Sequence, residues 1–189
     1  MSNEILADGP VGYWPLRGHT NDHSGNGNNL TIHTAGGFAY GYYWPIGDSG
    51  SRGDQLWDTG VAFGAGDWTL EFRIDRYDLG AYVSFCDDIA TGAGGRWAGT
   101  GIEWANGAGY TYIAGDPAGY FSHFAAVNSG GTLTVYHGRH YNGGPATIEH
   151  TWTLTGQTGV GNLILGGGHA FYAEVAFFNY ALTEARIEA

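Results

Sequence analysis

The sequence predicts an all-β fold: a two-sheet antiparallel β-sandwich with short helical turns at its two ends. Three observations predict it. Short stretches that alternate apolar and polar residues recur along the chain, clusters of Gly, Asn and Asp separate them, and segments of helical periodicity are almost absent. The 189 residues include 35 glycines in short clusters without a strict three-residue period, which excludes a collagen-like chain and implies many tight turns. Apolar residues make up 43% of the chain, enough for a globular core at this length without staples.

The clearest strand is "WTLEFRID", where Trp68, Leu70, Phe72 and Ile74 alternate with Thr69, Glu71, Arg73 and Asp75. A period of two gives one apolar and one polar face. "TLTVYHG" repeats the pattern, with Leu133 and Val135 opposed to Thr132, Thr134 and Tyr136. It follows "FSHFAAVNSGG", so Asn128 to Gly131 reads as the loop of a hairpin. In chain order, further strands are expected at "VGYWPL", "GFAYGYYW", "GVAFG", "AYVSF", "TGIEW", "YTYIAG", "IEHTWTL", "NLILGG" and "FYAEVAFFNY". "ILADGP" holds one helical turn before Pro10, and "ALTEARIEA" holds one or two. More than ten strands with so little helix imply two stacked antiparallel sheets. No linker-like break and no internal repeat is found, so residues 1–189 are read as one domain.

Charge and composition remove several functions. The net charge is −11 and all seven basic residues are Arg, so the basic footprint that a phosphate backbone needs is missing and no nucleic-acid partner is expected. The acid is spread along the chain and keeps the surface soluble, with a divalent cation as a natural partner for part of it. Cys86 is the sole cysteine, which excludes a disulfide framework and Cys-based zinc spacing; inside "AYVSFC" it reads as a small core residue. The N-terminal "MSNEILADG" lacks a basic region and a long apolar run, so no secretory signal and no membrane insertion are expected. The expectation is synthesis in the cytoplasm, with release by lysis or a non-classical route.

The most polar stretch is "NDHSGNGNNLT", Asn21 to Thr31. Asp22, Ser24, Asn26 and Asn28 place oxygen donors at alternate positions, as in the opening of an EF-hand calcium loop. The twelfth position is His33 and not a bidentate Glu, and no flanking helices are expected, so this is not an EF-hand. Two readings stay open: a calcium loop of another family, or an Asx-rich turn whose side chains bond their own backbone. His19 and His23 are four apart in the same Gly/Asn-rich region, which does not support helical zinc geometry. In "EFRID", Glu71 and Asp75 share a strand face with Arg73 between them. Carboxyl groups at i and i+4 of a strand stand roughly 13 Å apart, too far for a retaining glycosidase pair, and Arg73 suits an ion-paired face. The H-E-x-x-H, G-x-S-x-G and Walker A patterns are absent, and Arg52–Gly53–Asp54 is read as chance. Trp97, Trp104, Tyr110, Tyr112 and Tyr120 crowd the Gly-rich middle of the chain, offering ring faces for sugars; any single ring is more readily a core filler, and the cluster is better evidence than any member.

Taken in order, several segments resemble a laminin G-like domain of the concanavalin A-like lectin/glucanase superfamily. "ADGPVGYWPL" followed by "NDHSGNGNNLT" is similar to its opening, "DWTLEFRI" to its f-T-l-E-f strand, "HFAAVNSGGTLTVYHG" to its hairpin and "AEVAFFNYALTEARI" to its closing strand. The pieces run from Ala7 to Ile187. The resemblance implies a jelly roll and a rim calcium ion. Asp22 would be its side-chain ligand, Ser24, Asn26, Asn28 and neighbouring carbonyls would help, and Glu174 would lie nearby. The sequence departs at Ala173, where the family commonly has Asp, and it lacks the glucanases' E-x-D-x-E strand.

Together these readings favour a non-catalytic carbohydrate-binding, adhesion or display protein. Its setting would be a virion or an extracellular surface, as a phage capsid decoration or tail-associated component touching cell-surface glycans. Partners would be a glycan or polysaccharide, other virion proteins or further copies of the chain. The alternatives are a purely structural or oligomerising module and, less favoured, a polysaccharide hydrolase.

Overall fold

The structure is a computed structural model, and it describes residues 2–32, 36–39, 42–45, 57–62, 66–76, 83–87, 93–98, 101–106, 110–113, 122–139, 147–155, 162–165 and 170–188. Side chains are described within 4–31, 59–61, 66–73, 123–138 and 172–188. In chain order the elements are α1 (Ser2–Ala7), β1 (Gly12–Trp14), β2 (Thr31–Ile32), β3 (Gly36–Ala39), β4 (Tyr42–Pro45), β5 (Trp57–Ala62), β6 (Trp68–Arg76) and β7 (Val83–Asp87). They continue as β8 (Ala93–Ala98), β9 (Gly101–Asn106), β10 (Tyr110–Ile113), β11 (Ser122–Ser129), β12 (Thr132–Arg139), β13 (Thr147–Thr155), β14 (Asn162–Leu165), β15 (Ala170–Phe178) and α2 (Glu184–Ile187). Among the described residues no helix is long and apolar enough to cross a membrane.

The strands form the expected sandwich. Sheet A runs β13-β12-β11-β6-β15-β4-β3 with β1 added on β15, and sheet B runs β10-β9-β8-β7-β14-β5-β2. Every pairing described is antiparallel. The alternation in β6 sets the layering. Trp68, Leu70 and Phe72 are buried with Phe124, Leu133, Val135 and Phe177, and the Phe72 and Phe124 rings sit 5.1 Å apart. This apolar face is turned toward sheet B. The opposite, outer face is not left to water. Ile5 of α1 and Leu182 and Ile187 at the C-terminal end pack on Ala125, Val127, Ala176 and Phe178, so β6 is buried on both sides.

The sequence underestimates the ladder at three places, the first being "GFAYGYYW", expected as one strand but divided into β3 and β4, which pair antiparallel. β2 and β8 fall on stretches without alternation, and "AGGRWA" of β8 has glycines where a pattern would otherwise show. The β11–β12 loop is also shorter than expected. Pairing continues through Asn128↔Leu133 and Ser129↔Thr132, leaving a turn of Gly130 and Gly131 alone, both at positive φ, as a two-residue hairpin turn requires. Asp67, just before β6, accepts from the Gly130 N–H at 2.8 Å and fixes that tip. The Cys86 backbone lies on β7, its side chain outside the described set, and Arg52–Asp54 lie outside the described residues.

Thr69 joins the outer face to the C-terminal segment. Its hydroxyl donates to the Tyr180 carbonyl and accepts from the Leu182 N–H, both at 2.9 Å. Thr69→Val keeps the shape but leaves two backbone groups unpaired in a buried place. We expect a loss of about 2 kcal/mol in chemical denaturation, without a change in the sheet's circular dichroism.

Candidate functional site

The polar stretch forms a loop that folds back along β1. His23 N–H donates to the Tyr13 carbonyl at 2.7 Å, and Leu30 N–H to the Thr20 carbonyl at 3.0 Å. Asp22 is its centre. Oδ1 accepts from the Tyr13 N–H (2.9 Å) and the Ser24 N–H (2.8 Å); Oδ2 accepts from the Ser24 hydroxyl (2.8 Å) and the Asn28 N–H (2.9 Å). Four donors fill the lone-pair positions of one carboxylate. Burial pushes the Asp22 carboxyl up, but the bonds from Tyr13, Ser24 and Asn28 outweigh it and hold it below the usual range.

The remaining side chains close on β1. The Val11 carbonyl accepts from Asn26 Nδ2 (3.0 Å) and Asn28 Nδ2 (2.8 Å), and the Trp14 indole N–H donates to the Asn28 carbonyl at 2.7 Å. The Ser24 hydroxyl stands 3.2 Å from the Val11 carbonyl as well; it has one proton, which the shorter contact to Asp22 takes. Asp22, Ser24, Asn26 and Asn28 are therefore brought together as expected, in the manner of an Asx-rich turn. Asn29 Oδ1 accepts from the Asp22 N–H at 2.9 Å, and His23, Asn26 and Asn29 are exposed. The His19 and His23 rings stack at 5.0 Å and 8°, with the Tyr13 ring edge-on to His23 at 6.4 Å. Stacked rings direct their nitrogen lone pairs side by side, not at a shared ion. Beyond the four-residue spacing of His19 and His23, nothing local signals this platform.

Glu174 lies apart from these four. It occupies a β-bulge on β15, where pairing with β6 skips from Ala173↔Arg73 to Ala176↔Glu71, and its φ is 51°. Its side chain, 5% exposed, accepts from Arg17 Nη2 at 2.7 Å and stands 3.3 Å from Arg73 Nη1. No hydrogen bond or ion pair described for the loop reaches it. Arg73 reaches across to Glu174 of β15, and Glu71 is bonded to His123 of β11, Nε2 to Oε1, at 2.7 Å. Among the described residues no three His, Cys, Asp or Glu stand grouped as an ion would need. In this conformation the donor set does not fit a calcium ion, because protons of the chain occupy the Asp22 oxygens.

The aromatic set is only partly described. Tyr120 lies outside the described residues, and the side chains of Trp97, Trp104, Tyr110 and Tyr112 lie outside the described set. The backbone register still places the last four. Trp97 is opposite Ile102, two residues from Trp104, so both Trp positions belong to one face of sheet B. Tyr110 and Tyr112 pair with Ala105 and Glu103 and belong to the other.

The fold and this site define a class, the two-sheet antiparallel sandwich with a polar loop at its rim. No family model matches the chain, and no curated protein matches it. Solved structures do. A structure of botulinum neurotoxin type C, described as entering cells through interaction with two ganglioside molecules, is similar over 100% of this chain and 51% of its own, with a TM-score of 0.69 at 11% identity. The binding domain of botulinum neurotoxin DC in complex with SialylT is similar over 97% of this chain and 51% of its own (TM-score 0.66, 11% identity). A mutant sialidase of Trypanosoma rangeli displaying trans-sialidase activity matches 98% of this chain and 33% of its own (TM-score 0.66, 11% identity). The chain spans about half or less of each of these proteins. At such identities the likeness is one of fold.

Asp22 supplies a test with a sign. Its folded-state carboxyl is held low, so its stabilisation is present above the unfolded value of about 3.9 and is lost as pH falls through the folded one. Asp22→Asn, whose amide faces two donors, should cost about 2 kcal/mol at pH 7 in urea denaturation. The gap from wild type should narrow below about pH 4.

Proposed function

We propose that this chain is a glycan-binding module whose contact surface is the rim loop between Asn21 and Asn29. The carrying observation is the preorganisation of that loop by Asp22. Four hydrogen bonds to one carboxylate fix the backbone that presents exposed His23, Asn26 and Asn29. A loop already held in shape loses little conformational entropy on binding. An imidazole ring gives a sugar's C–H face a surface, and the amides match its hydroxyls as donor and acceptor. The similar neurotoxin structures, described with ganglioside and SialylT, support the ligand class.

The reading is non-catalytic. Glu71, the acid a hydrolase reading would use, is closed off and bonded to His123. Display on a virion, docked on other virion proteins or on further copies of the chain, belongs to the same proposal and is tested by locating the protein on purified particles.

A glycan array with neutral and sialylated structures tests the ligand. We expect binding that His23→Ala weakens about tenfold, equivalent to ~1.4 kcal/mol, with an unchanged melting temperature. No binding to any glycan would overturn the reading in favour of a structural or oligomerising module. The calcium ion implied by the sequence resemblance is proposed only for a rearranged loop in which Asp22 gives up chain donors. A melting temperature that calcium raises in wild type but not in Asp22→Ala would establish it, and curves unchanged by calcium and by chelator would remove it.

A further inference from the structure

Two strained backbone positions meet where β1 ends, and the side chain they hold is not one that the rim loop uses. Leu16 and Glu174 are the non-glycine residues at positive φ among those described, at 54° and 51°. They flank one contact, because the Glu174 N–H donates to the carbonyl of Pro15, the residue before Leu16, at 3.5 Å. Glycine would take either conformation without strain, so a leucine and a glutamate there point to what their side chains do. Leu16 is fully buried and anchors the end of β1 in the core. Arg17, the next residue, is turned outward, and Glu174 receives it, Nη2 standing 2.7 Å from Oε1.

The pair is lopsided. The Glu174 side chain is 5% exposed and that of Arg17 is 66% exposed. A guanidinium carries several N–H donors in a planar fork, and the bond to Glu174 uses one of them. The others are offered to solvent by a side chain whose direction is already set. Glu174 also has Arg73 at 3.3 Å, so Arg17 is not needed to keep a buried carboxylate from standing alone. An ion pair with one partner this exposed adds little to stability. The arrangement holds an arginine still more than it holds the fold together.

The rim platform is close by. His19 lies two residues beyond Arg17, their Cα atoms at most about 7 Å apart, and its ring is stacked on that of the exposed His23. A fixed guanidinium and a ring face therefore lie within the span of a mono- or disaccharide. The guanidinium fork matches a carboxylate in two parallel hydrogen bonds. The net charge of −11 disfavours anionic ligands over the surface as a whole, so a held arginine is what admits one here. We propose that Arg17, positioned by Glu174, binds the carboxylate of an acidic sugar whose ring lies on the rim, making the module selective for carboxylated glycans. This rests on the glycan-binding reading above and names its ligand class. Arg17 is the contact, and Glu174 is a positioning residue.

The test is calorimetric titration of the full chain with sialyl- and glucuronyl-oligosaccharides, each compared with its own carboxyl methyl ester, which keeps the sugar and removes the charge. In wild type at least one acid should bind about tenfold more tightly than its ester, and which acid does so identifies the source of the carboxylate. In Arg17→Gln that ratio should fall to about one, and Arg17→Lys, which keeps the charge without the fork, should recover part of it. Glu174→Gln should lower the ratio as well, a change that a merely structural glutamate would not produce, since lost stability affects acid and ester alike. Equal affinities for acid and ester in wild type, a comparison that needs no variant to fold, would overturn the proposal. So would a preference that survives Arg17→Gln, and either result leaves glycan binding standing. Binding of no acid, ester or neutral glycan would overturn both readings.

Discussion

Sheet A is buried on both faces of its central strands, and most of the polar architecture follows from that constraint. An ordinary sandwich strand sends alternate side chains to water. β6 cannot, because α1 and the C-terminal segment cover part of its outer face while its other face is turned to sheet B. Each polar residue there needs a partner inside the protein. Thr69 bonds the C-terminal backbone, Glu71 bonds His123, and Arg73 reaches Glu174. The bulge in β15 belongs to the same solution. One extra residue at positive φ re-aims a carboxylate onto Arg73 and Arg17.

The rim loop solves a different problem with the same chemistry. It has little to bury, so its order comes mainly from hydrogen bonds, with the stacked His19 and His23 rings beside them. Asp22 accepts from both sides of the loop, and the amide groups of Asn26 and Asn28 are spent on the Val11 carbonyl. What is left over for a partner lies outside: His23, the exposed edge of Asn26, and Asn29. The same residues thus serve both ends: Asn26 and Asn29 each use one end of the amide to build the loop and leave the other for a ligand, while His23 ties in through its backbone N–H and offers its ring.

Most of the fold was legible in the sequence because alternation is a local signal. Trp68 to Asp75 announces its strand and its two faces without reference to anything else. The misses have physical causes. Gly94 and Gly95 carry no side chain to alternate, so β8 left no pattern. Asn128 and Ser129 are turn-type residues that the ladder nevertheless retained. The site was legible in part. Asp22 with its Asx neighbours could be picked out by spacing, but their use as a turn depended on donors from β1. Glu71 and His123 are 52 residues apart, and no local rule joins them. Glu174 could not be placed either, since a non-glycine residue at positive φ gives no warning in the sequence. The aromatic cluster looked like one surface because it is dense in sequence, whereas a period of two divides it between faces.

The position of β1 also bears on how the protein is made. Its described strand partner is β15, more than 150 residues later, and the Asp8–Arg186 ion pair spans 178 positions. A chain emerging from the ribosome therefore has Asp22 and all its loop donors early, but lacks the strand that holds β1 in place. The rim cannot be set until the last strand has arrived. Folding dominated by such distant contacts is slow, and a chain cut short before β15 would carry the residues of the loop without its surface.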